Sequence, residues 1–233
     1  MKGSRLLTRR EALGAVGAAS AALAFGCGGD APTSPSSEAS AAAATTSTNA
    51  ACAVTPTETV GPYPSLVDLF RSDIREGKSG TPLTLTIRVV NAAGGCSPVP
   101  NANVEIWHVD AAGNYSQYGT QTTQTYLRGI QTTNGSGEVT FTTIYPGWYQ
   151  GRATHIHVEV TMAGRSVKVT QMAFPETINN SVHTSGAYAS RGVNPMSNLS
   201  DGIFADSLSS EIVTPTGSAS GGFNAMFQVA VTA

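Results

Sequence analysis

Short runs of alternating apolar and polar residues, separated by stretches rich in Gly, Asn and Pro, dominate the chain after residue 52. In residues 83–90, LTLTIRVV, every odd position carries a Leu, Ile or Val. Side chains two residues apart in a β-strand point to the same face, so this pattern predicts a strand with one buried face. Similar runs predict further strands at residues 103–109, 137–144, 154–162, 165–174 and 225–231.

Helical patterns are scarce in the same region. The best candidate is a short turn of helix around residues 65–74, whereas MAGRS, residues 162–166, predicts a tight hairpin connection. Residues 110–134 and 175–224 are rich in Gly, Asn and Ser, and we expect them to be long loops that build a site. The predicted fold is therefore all-β, a mostly antiparallel β-sandwich with long site-forming loops and little helix.

The chain of 233 residues divides into three parts by composition. Residues 28–51 hold almost no large apolar side chain, so they cannot bury enough surface to fold and are predicted to be a flexible linker. Residues 52–233 are predicted to form one domain, since a hydrophobic fraction of 40% is enough for a core.

Residues 1–27 have the pattern of an export signal. Four basic residues precede an uncharged run at residues 12–25, which is too short to span a bilayer as a stable anchor. The pair Arg9 and Arg10 is typical of the twin-arginine signal that exports folded proteins, although an ordinary signal with two arginines is the alternative. We therefore expect an exported protein, periplasmic or otherwise extracytoplasmic.

The three cysteines fit this location. Cys27 follows a small residue at the end of the uncharged run, as in a lipoprotein signal, so we expect a lipidated Cys27 that anchors the protein to a membrane; simple cleavage nearby is the alternative. Cys52 and Cys96 are an even pair in an oxidising compartment, which predicts a disulfide that ties the N-terminal arm to the first hairpin.

The charge of the chain argues against nucleic acid as a partner. Only 12% of residues are charged, against roughly 25% in an average soluble protein. Without residues 1–26, nine of the 13 basic and 14 of the 15 acidic residues remain, a net charge of −5. A polyanion would not be attracted to such a chain.

His155 and His157 stand two residues apart in a predicted strand, so both imidazoles share one face with Glu159. Neutral imidazole is the commonest metal ligand, so this pair could bind one metal ion. A closed zinc site is hard to assemble, because the chain has only four histidines and its cysteines have other expected roles. A divalent-metal site built from His155, His157 and Glu159 is conceivable, although Glu159 lies further along the strand.

Tyrosines are the other oxygen donors near this pair: Tyr145, Tyr149, Tyr115 and Tyr118. A phenolate is a hard anionic donor that favours iron(III) over divalent ions. For any single tyrosine, a buried ring with a hydrogen-bonded hydroxyl is the alternative.

An ordered series of motifs runs through nearly the whole predicted domain. It comprises CAVTPTETVGPY (52–63), the run at 71–90, VEIWHVDAAGNYS (104–116), RGIQTT (128–133), GEVTFTTIYPGWYQGRATHIHV (137–158), TQMAF (170–174) and DGIF (201–204). This series resembles the intradiol ring-cleavage dioxygenases, in particular the catalytic β-sandwich of the protocatechuate dioxygenase type and its secreted branch.

The resemblance implies a non-haem iron(III) ion, Fe(III), held by two tyrosines and two histidines. The matching positions are Tyr115, Tyr149, His155 and His157.

The resemblance also implies an enzyme that cleaves a catechol-type aromatic with O2 between its two hydroxyl-bearing carbons and yields a muconate-type diacid. Arg152 and Gln171 match the residues that flank the substrate ring in the family. Tyr149 would leave the metal and act as a base, and Arg152 would stabilise negative charge on the ring. The particular catechol and the oligomeric state stay open.

Three features depart from the family pattern. Val60 replaces the Glu of the Thr-Glu-Gly-Pro-Tyr motif near the pocket. No helical N-terminal dimerisation domain of the cytoplasmic catechol dioxygenases is predicted, and a partner subunit that could complete the pocket is not identified.

Of the remaining histidines, His108 is expected to pack beside the site and His183 to lie in a loop.

Two other functions remain as hypotheses. One is a non-enzymatic β-sandwich that binds a sugar or a surface; the presence of all four matching ligands argues against it. The other is the divalent-metal enzyme that uses His155, His157 and Glu159.

Overall fold

The computed structural model of the chain describes residues 52–233, which form two facing β-sheets with a few short helices. The strands are β1 (Pro82–Asn91), β2 (Ser97–Pro98), β3 (Asn103–Trp107), β4 (Arg128–Thr132), β5 (Glu138–Ile144), β6 (His155–Met162), β7 (Arg165–Ala173), β8 (Thr216–Ser218) and β9 (Gly222–Val231). The helices are α1 (Glu176–His183) and α2 (Leu208–Glu211), with 3-10 turns at Gly186–Tyr188 and Asn198–Ser200. The predicted all-β class with little helix is confirmed.

One sheet is arranged around β1. β1 pairs with β9 in parallel and with β5 and β2 antiparallel, and β8 pairs with β9. The parallel pair joins the first strand to the last. It is the exception to the mostly antiparallel pairing that the sequence predicts.

The other sheet has the order β4-β3-β6-β7 and is antiparallel throughout. β6, which carries the His-x-His pair, is an inner strand, so its backbone is held by hydrogen bonds on both sides. In its register His157 lies opposite Trp107 of β3 and opposite Gln171 of β7. The predicted hairpin at residues 162–166 connects β6 to β7.

The core lies between the sheets and positions β6. Ile156, Val158 and Val160 point into it and are fully buried. Burial of each such side chain stabilises the fold by about 1.5–3 kcal/mol. Because side chains alternate along a strand, His155 and His157 must point away from this core, and the long loops cover them.

The helical turn predicted at residues 65–74 is wrong. The segment is extended and forms isolated bridges, Phe70 to Ile130 and Asp73 to Thr142. Its backbone hydrogen bonds go to the neighbouring strands β4 and β5 instead of along a helix. Ile74 is its buried anchor, whereas the side chain of Phe70 is 63% exposed, so the segment has no continuous apolar stripe to bury.

The predicted loops contain more structure than expected. β4 falls inside residues 110–134, and α1, α2 and β8 fall inside residues 175–224. The sequence conceals β4 because it buries Arg128 and Gly129, which are atypical of strands. Gly129 is required there, since an added Cβ would lie 2.5 Å from a methyl carbon of Ile74.

The predicted position of His183 is also wrong. It does not lie in a loop: it ends α1, is fully buried, and its Nε2 lies 3.2 Å from the carbonyl oxygen of Pro146. A polar helix of eight residues offers too short a pattern to be recognised as buried.

The N-terminal arm, residues 52–64, runs along both sheets. The amide of Thr55 donates to the carbonyl of Ala230 in β9, and the amide of Glu58 donates to that of Val169 in β7. The predicted disulfide between Cys52 and Cys96 is present, with a Cα–Cα distance of 5.6 Å, and ties the arm to the turn after β1.

The export signal, its Cys27 and the linker at residues 28–51 lie outside the described residues. Within residues 52–233, no helix has the length and apolar character needed to cross a membrane.

Candidate active site

Two imidazoles and one phenol meet on the face of β6 that points away from the core. The Nε2 atoms of His155 and His157 are 3.2 Å apart, and the hydroxyl oxygen of Tyr115 lies 3.3 Å from Nε2 of His155. All three side chains are at most 5% exposed. The site thus concentrates three potential metal donors in a space shielded from water.

Tyr149 completes this group from a different segment. It lies in the connection between β5 and β6, and its ring centroid is 5.7 Å from that of Tyr115 and 5.7 Å from that of His155. It is less buried than Tyr115. The structure therefore brings together all four residues that the sequence proposes as metal ligands.

The hydrogen bond of His155 fixes its tautomer. Nδ1 lies 2.7 Å from the carbonyl oxygen of Ala153, which can only accept, so Nδ1 carries the proton. Nε2 is then unprotonated, and its lone pair is available to a metal ion on the side where Nε2 of His157 lies. A carbonyl that orients a histidine in this way is the usual support of a metal-binding imidazole.

His157 is held by packing. Its ring stacks on the indole of Trp107, with centroids 4.7 Å apart and planes 3° from parallel. On another side, a Cβ added to Gly61 of the N-terminal arm would lie 3.1 Å from Cε1 of His157. Val60, which departs from the family motif, directly precedes Gly61 in the arm and is 38% exposed.

Burial keeps both histidines neutral. It lowers the pKa of His155 to about 3, with the positive charge of Arg152 as a second cause. It also lowers the pKa of His157 well below its usual value, helped by His155. Neutral imidazoles can donate their lone pairs to a metal ion at neutral pH.

The tyrosines need a positive charge to ionise. Burial raises the pKa of Tyr115 well above its usual value, and the neighbouring Tyr149 adds to the effect. Burial also raises the pKa of Tyr149, whereas Arg152 opposes this rise. Phenolates would form here only beside a strongly charged cation. This donor set of two neutral nitrogens and two phenols fits iron(III).

Arg152 stands beside this group in a fixed orientation. Its Nε donates to Oδ2 of Asp201 at 2.8 Å, and another guanidinium nitrogen donates to Oε1 of Gln171 at 2.6 Å. Gln171 in turn donates to the carbonyl oxygen of Thr59 in the arm, at 2.9 Å. The two residues proposed to flank the substrate thus contact each other.

Two residues of this site are missed by the sequence reasoning. Asp201 is 1% exposed and also accepts a hydrogen bond from the amide of Ala153 at 2.7 Å. Arg128 is fully buried, lies 5.6 Å from the ring of Tyr115 and donates to the carbonyl oxygens of Ser116 and Tyr63. The motifs DGIF and RGIQTT contain them and are the signal that could have identified them.

Glu159 does not join the histidine pair. It lies opposite Glu105 of β3, further along β6. Within residues 52–233, no group of three or more His, Cys, Asp or Glu side chains is arranged to hold a metal ion. The rise of a strand separates Glu159 from the histidines, so the geometry does not support the divalent-metal alternative.

His108 packs beside the site, as expected. It is fully buried: its Nδ1 donates to the carbonyl oxygen of Val109 at 2.9 Å, and its Nε2 accepts from the hydroxyl of Thr143 at 2.8 Å. With both ring nitrogens engaged, it has no free lone pair for a metal.

Comparisons with known proteins find similar dioxygenases. The dioxygenase family model matches residues 64–190. An intradiol ring-cleavage dioxygenase from Tetranychus urticae is 30% identical, with a TM-score of 0.70, over 77% of this chain and 95% of that one. The dioxygenase domain of a carbohydrate-binding fusion protein from Streptomyces sp. SirexAA-E is 27% identical, with a TM-score of 0.59, over 76% of this chain and 97% of that domain.

A more distant structure shares the fold. The 3-chlorocatechol 1,2-dioxygenase from Rhodococcus opacus 1CP is 20% identical, with a TM-score of 0.53, over 76% of this chain and 72% of that one. The family model spans more than half of the chain, and the Tetranychus urticae dioxygenase is similar over 95% of its length. The chain therefore belongs to the intradiol ring-cleavage dioxygenase family.

Proposed function

We propose that this protein is an exported iron(III) enzyme that cleaves a catechol-type ring between its two hydroxyl-bearing carbons. Both atoms of O2 would enter the product, a muconate-type diacid. The observation that carries the proposal is the position of Nε2 of His155, 3.3 Å from the hydroxyl oxygen of Tyr115 and 3.2 Å from Nε2 of His157, with Tyr149 packed against this group.

The four side chains would hold the metal with complementary charges. Two phenolates and one hydroxide balance the three charges of iron(III), while the neutral imidazoles add none. When bound, the iron would draw electron density from a coordinated catecholate and make a ring carbon reactive toward O2.

Tyr149 is the residue we propose to leave the metal and accept a proton from the catechol. It is less buried than Tyr115, so its ring has more room to move. Arg152 lies close enough to Tyr149 for its positive charge to lower the pKa of the Tyr149 hydroxyl, which favours the phenolate. One proton would move from a substrate hydroxyl to the phenolate oxygen, and the hydroxide would take the second proton and leave as water.

Arg152 would also stabilise the negative charge that develops on the ring. Asp201 and Gln171 hold the guanidinium from two sides, so it need not reorient during the reaction. Gln171 would position the ring beside it.

The direct test of the reaction is product analysis in ¹⁸O2. Iron-loaded protein and catechol should give a diacid that contains two labelled atoms. A product with one labelled atom, or cleavage beside the diol instead of between its carbons, would contradict the proposal.

Export and anchoring belong to the same proposal and rest on the sequence of residues 1–51. In a bacterial host the full chain should fractionate with membranes, and Cys27→Ser should release it. Equal fractionation of both chains would argue against lipidation.

A further inference from the structure

A small cavity adjoins the proposed ligands Tyr115 and Tyr149. Its volume is about 170 Å³. A cavity of about 150 Å³ can take up one benzene molecule. The space therefore matches a single aromatic ring with a small substituent.

The lining of this cavity is aromatic and uncharged. Four tyrosines line it, together with five other uncharged residues that we call the rim: Gly113, Asn114, Gly119, Thr120 and Gln121. None of the nine Lys and Arg residues in the described part of the chain lines it. A ring substituent that points into this space, away from Arg152, would meet hydroxyl and amide groups and no cation.

The rim is preformed. The amide of Gln121 donates to the carbonyl oxygen of Tyr118, and the carbonyl of Gln121 accepts from the amide of Gln117, both at 2.8 Å. The side-chain hydroxyl of Tyr118 also donates to the carbonyl oxygen of Pro64 in the arm, at 2.7 Å. These contacts fix the loop that would face a ring substituent.

The buried cations near the cavity already have partners. Arg152 is engaged by Asp201 and Gln171. Arg128 donates to Ser116 and to the carbonyl oxygen of Tyr63.

The two cations nearer the surface are engaged as well. Lys78 pairs with Asp110 at 2.7 Å. Arg191 donates to the carbonyl oxygen of Ala112 at 3.0 Å and stacks 4.2 Å above the ring of Trp148. None of these four cations lines the cavity, so a carboxylate on the substrate would have no cation in contact with it there.

We propose that the substrates are single-ring catechols with an uncharged substituent, such as a hydroxyl or hydroxymethyl group, and that Asn114 and Gln121 select them. The inference rests on the proposed ring cleavage at this site. A ring carboxylate would lose its water at the rim without gaining a counter-ion, which is costly. A neutral hydroxyl can exchange hydrogen bonds with water for those with the side-chain amides.

Two substrates of nearly the same shape test the proposal: 3,4-dihydroxybenzoate and 3,4-dihydroxybenzyl alcohol, with catechol as the reference. Oxygen uptake should give a kcat/KM at least about tenfold higher for the alcohol, the ratio expected from one unpaired charge near the surface. Anaerobic titration of the iron-loaded protein, followed by its visible spectrum, should show the same preference in binding.

The outcomes separate this inference from the function on which it rests. If catechol itself is not cleaved, the proposed function fails. If catechol is cleaved and the benzoate is used as well as the alcohol or better, the function stands and the neutral-substituent inference is wrong. Cleavage of catechol with rejection of both substituted rings would also overturn it, since the rim would then select no substituent.

A charge placed on the rim provides the matched control. Gln121→Lys should shift the ratio of kcat/KM values toward the benzoate by about tenfold, because it supplies the missing counter-ion. Thr123→Lys adds the same charge on the exposed surface outside the cavity and should leave the ratio unchanged. An equal shift in both variants would mean that overall charge, not the rim, selects the substrate.

Discussion

At the scale of single residues, the site depends on side chains that hold the proposed catalytic groups. Asp201 accepts hydrogen bonds from Arg152 and from the amide of Ala153 and is itself almost fully buried. Removal of its charge would leave the guanidinium without its ionic partner.

We therefore expect Asp201→Asn to lower the free energy of unfolding by about 1.5–3 kcal/mol, the value of hydrogen bonds to charged groups. Urea denaturation of the metal-free protein measures this change. Asp206→Asn, the same replacement at an exposed position nearby, should change it by no more than about 0.5 kcal/mol. Equal effects of the two variants would show that the Arg152 pair adds no stability.

Gly61 and Gly77 form a matched pair for substitution, because their φ angles are nearly equal, +73° and +75°. Replacement by Ala should cost each about 1–2 kcal/mol of stability, since both become strained in the left-handed region. An added Cβ meets His157 at 3.1 Å only at Gly61, whereas nothing lies within 4 Å at Gly77. Gly61→Ala should therefore also weaken iron binding in a titration, and Gly77→Ala should not; equal iron affinities would contradict the role of the arm.

His108 makes stability depend on pH. Burial lowers its pKa from 6.5 to about 4, so between these values the unfolded chain binds a proton that the folded protein does not. Its contribution to stability is complete above pH 6.5 and is lost as the pH falls toward 4. The metal-free protein should lose about 1.4 kcal/mol per pH unit from this residue alone. Denaturation at several pH values should show a shallower slope for His108→Gln; an unchanged slope would mean that His108 titrates normally.

At the scale of elements, β6 carries the two histidines and the N-terminal arm packs against them. β6 is predictable because its core side follows a strict alternation of apolar residues. The arm is not predictable, since it adds single hydrogen bonds to β7 and β9 without forming a strand of its own. The same is true of residues 65–74, which look helical locally but take their hydrogen bonds from neighbouring strands.

The disulfide should govern the stability of the arm. It closes a loop across a sequence separation of 44 residues, and removal of such a bridge costs about 2–4 kcal/mol. In the double variant Cys52→Ser, Cys96→Ser, hydrogen exchange should accelerate first at the amides of Thr55 and Glu58, before the amides of β6. Uniform acceleration would mean that the bridge stabilises the whole domain and not the arm in particular. No acceleration would mean that the arm is held without the bridge.

At the scale of the whole molecule, the sandwich is a rigid support for a site assembled from distant segments. Tyr115, Tyr149 and the histidines come from two loops and one strand, and Asp201 from a third loop. Alternation predicts that His155 and His157 share a face, and the family motifs predict the tyrosines. The contact of Arg152 with Asp201, 49 residues away, follows from the tertiary structure and has no local pattern.

The most direct test of the central claim, iron(III) bound by tyrosinate at this site, is the visible absorption spectrum of the protein loaded with iron in the absence of reductant. We expect a reddish protein with a charge-transfer band that is altered or lost in Tyr149→Phe and retained in Tyr126→Phe, a tyrosine outside the ligand group. A colourless iron-loaded protein, or a spectrum that Tyr149→Phe leaves unchanged, would contradict it.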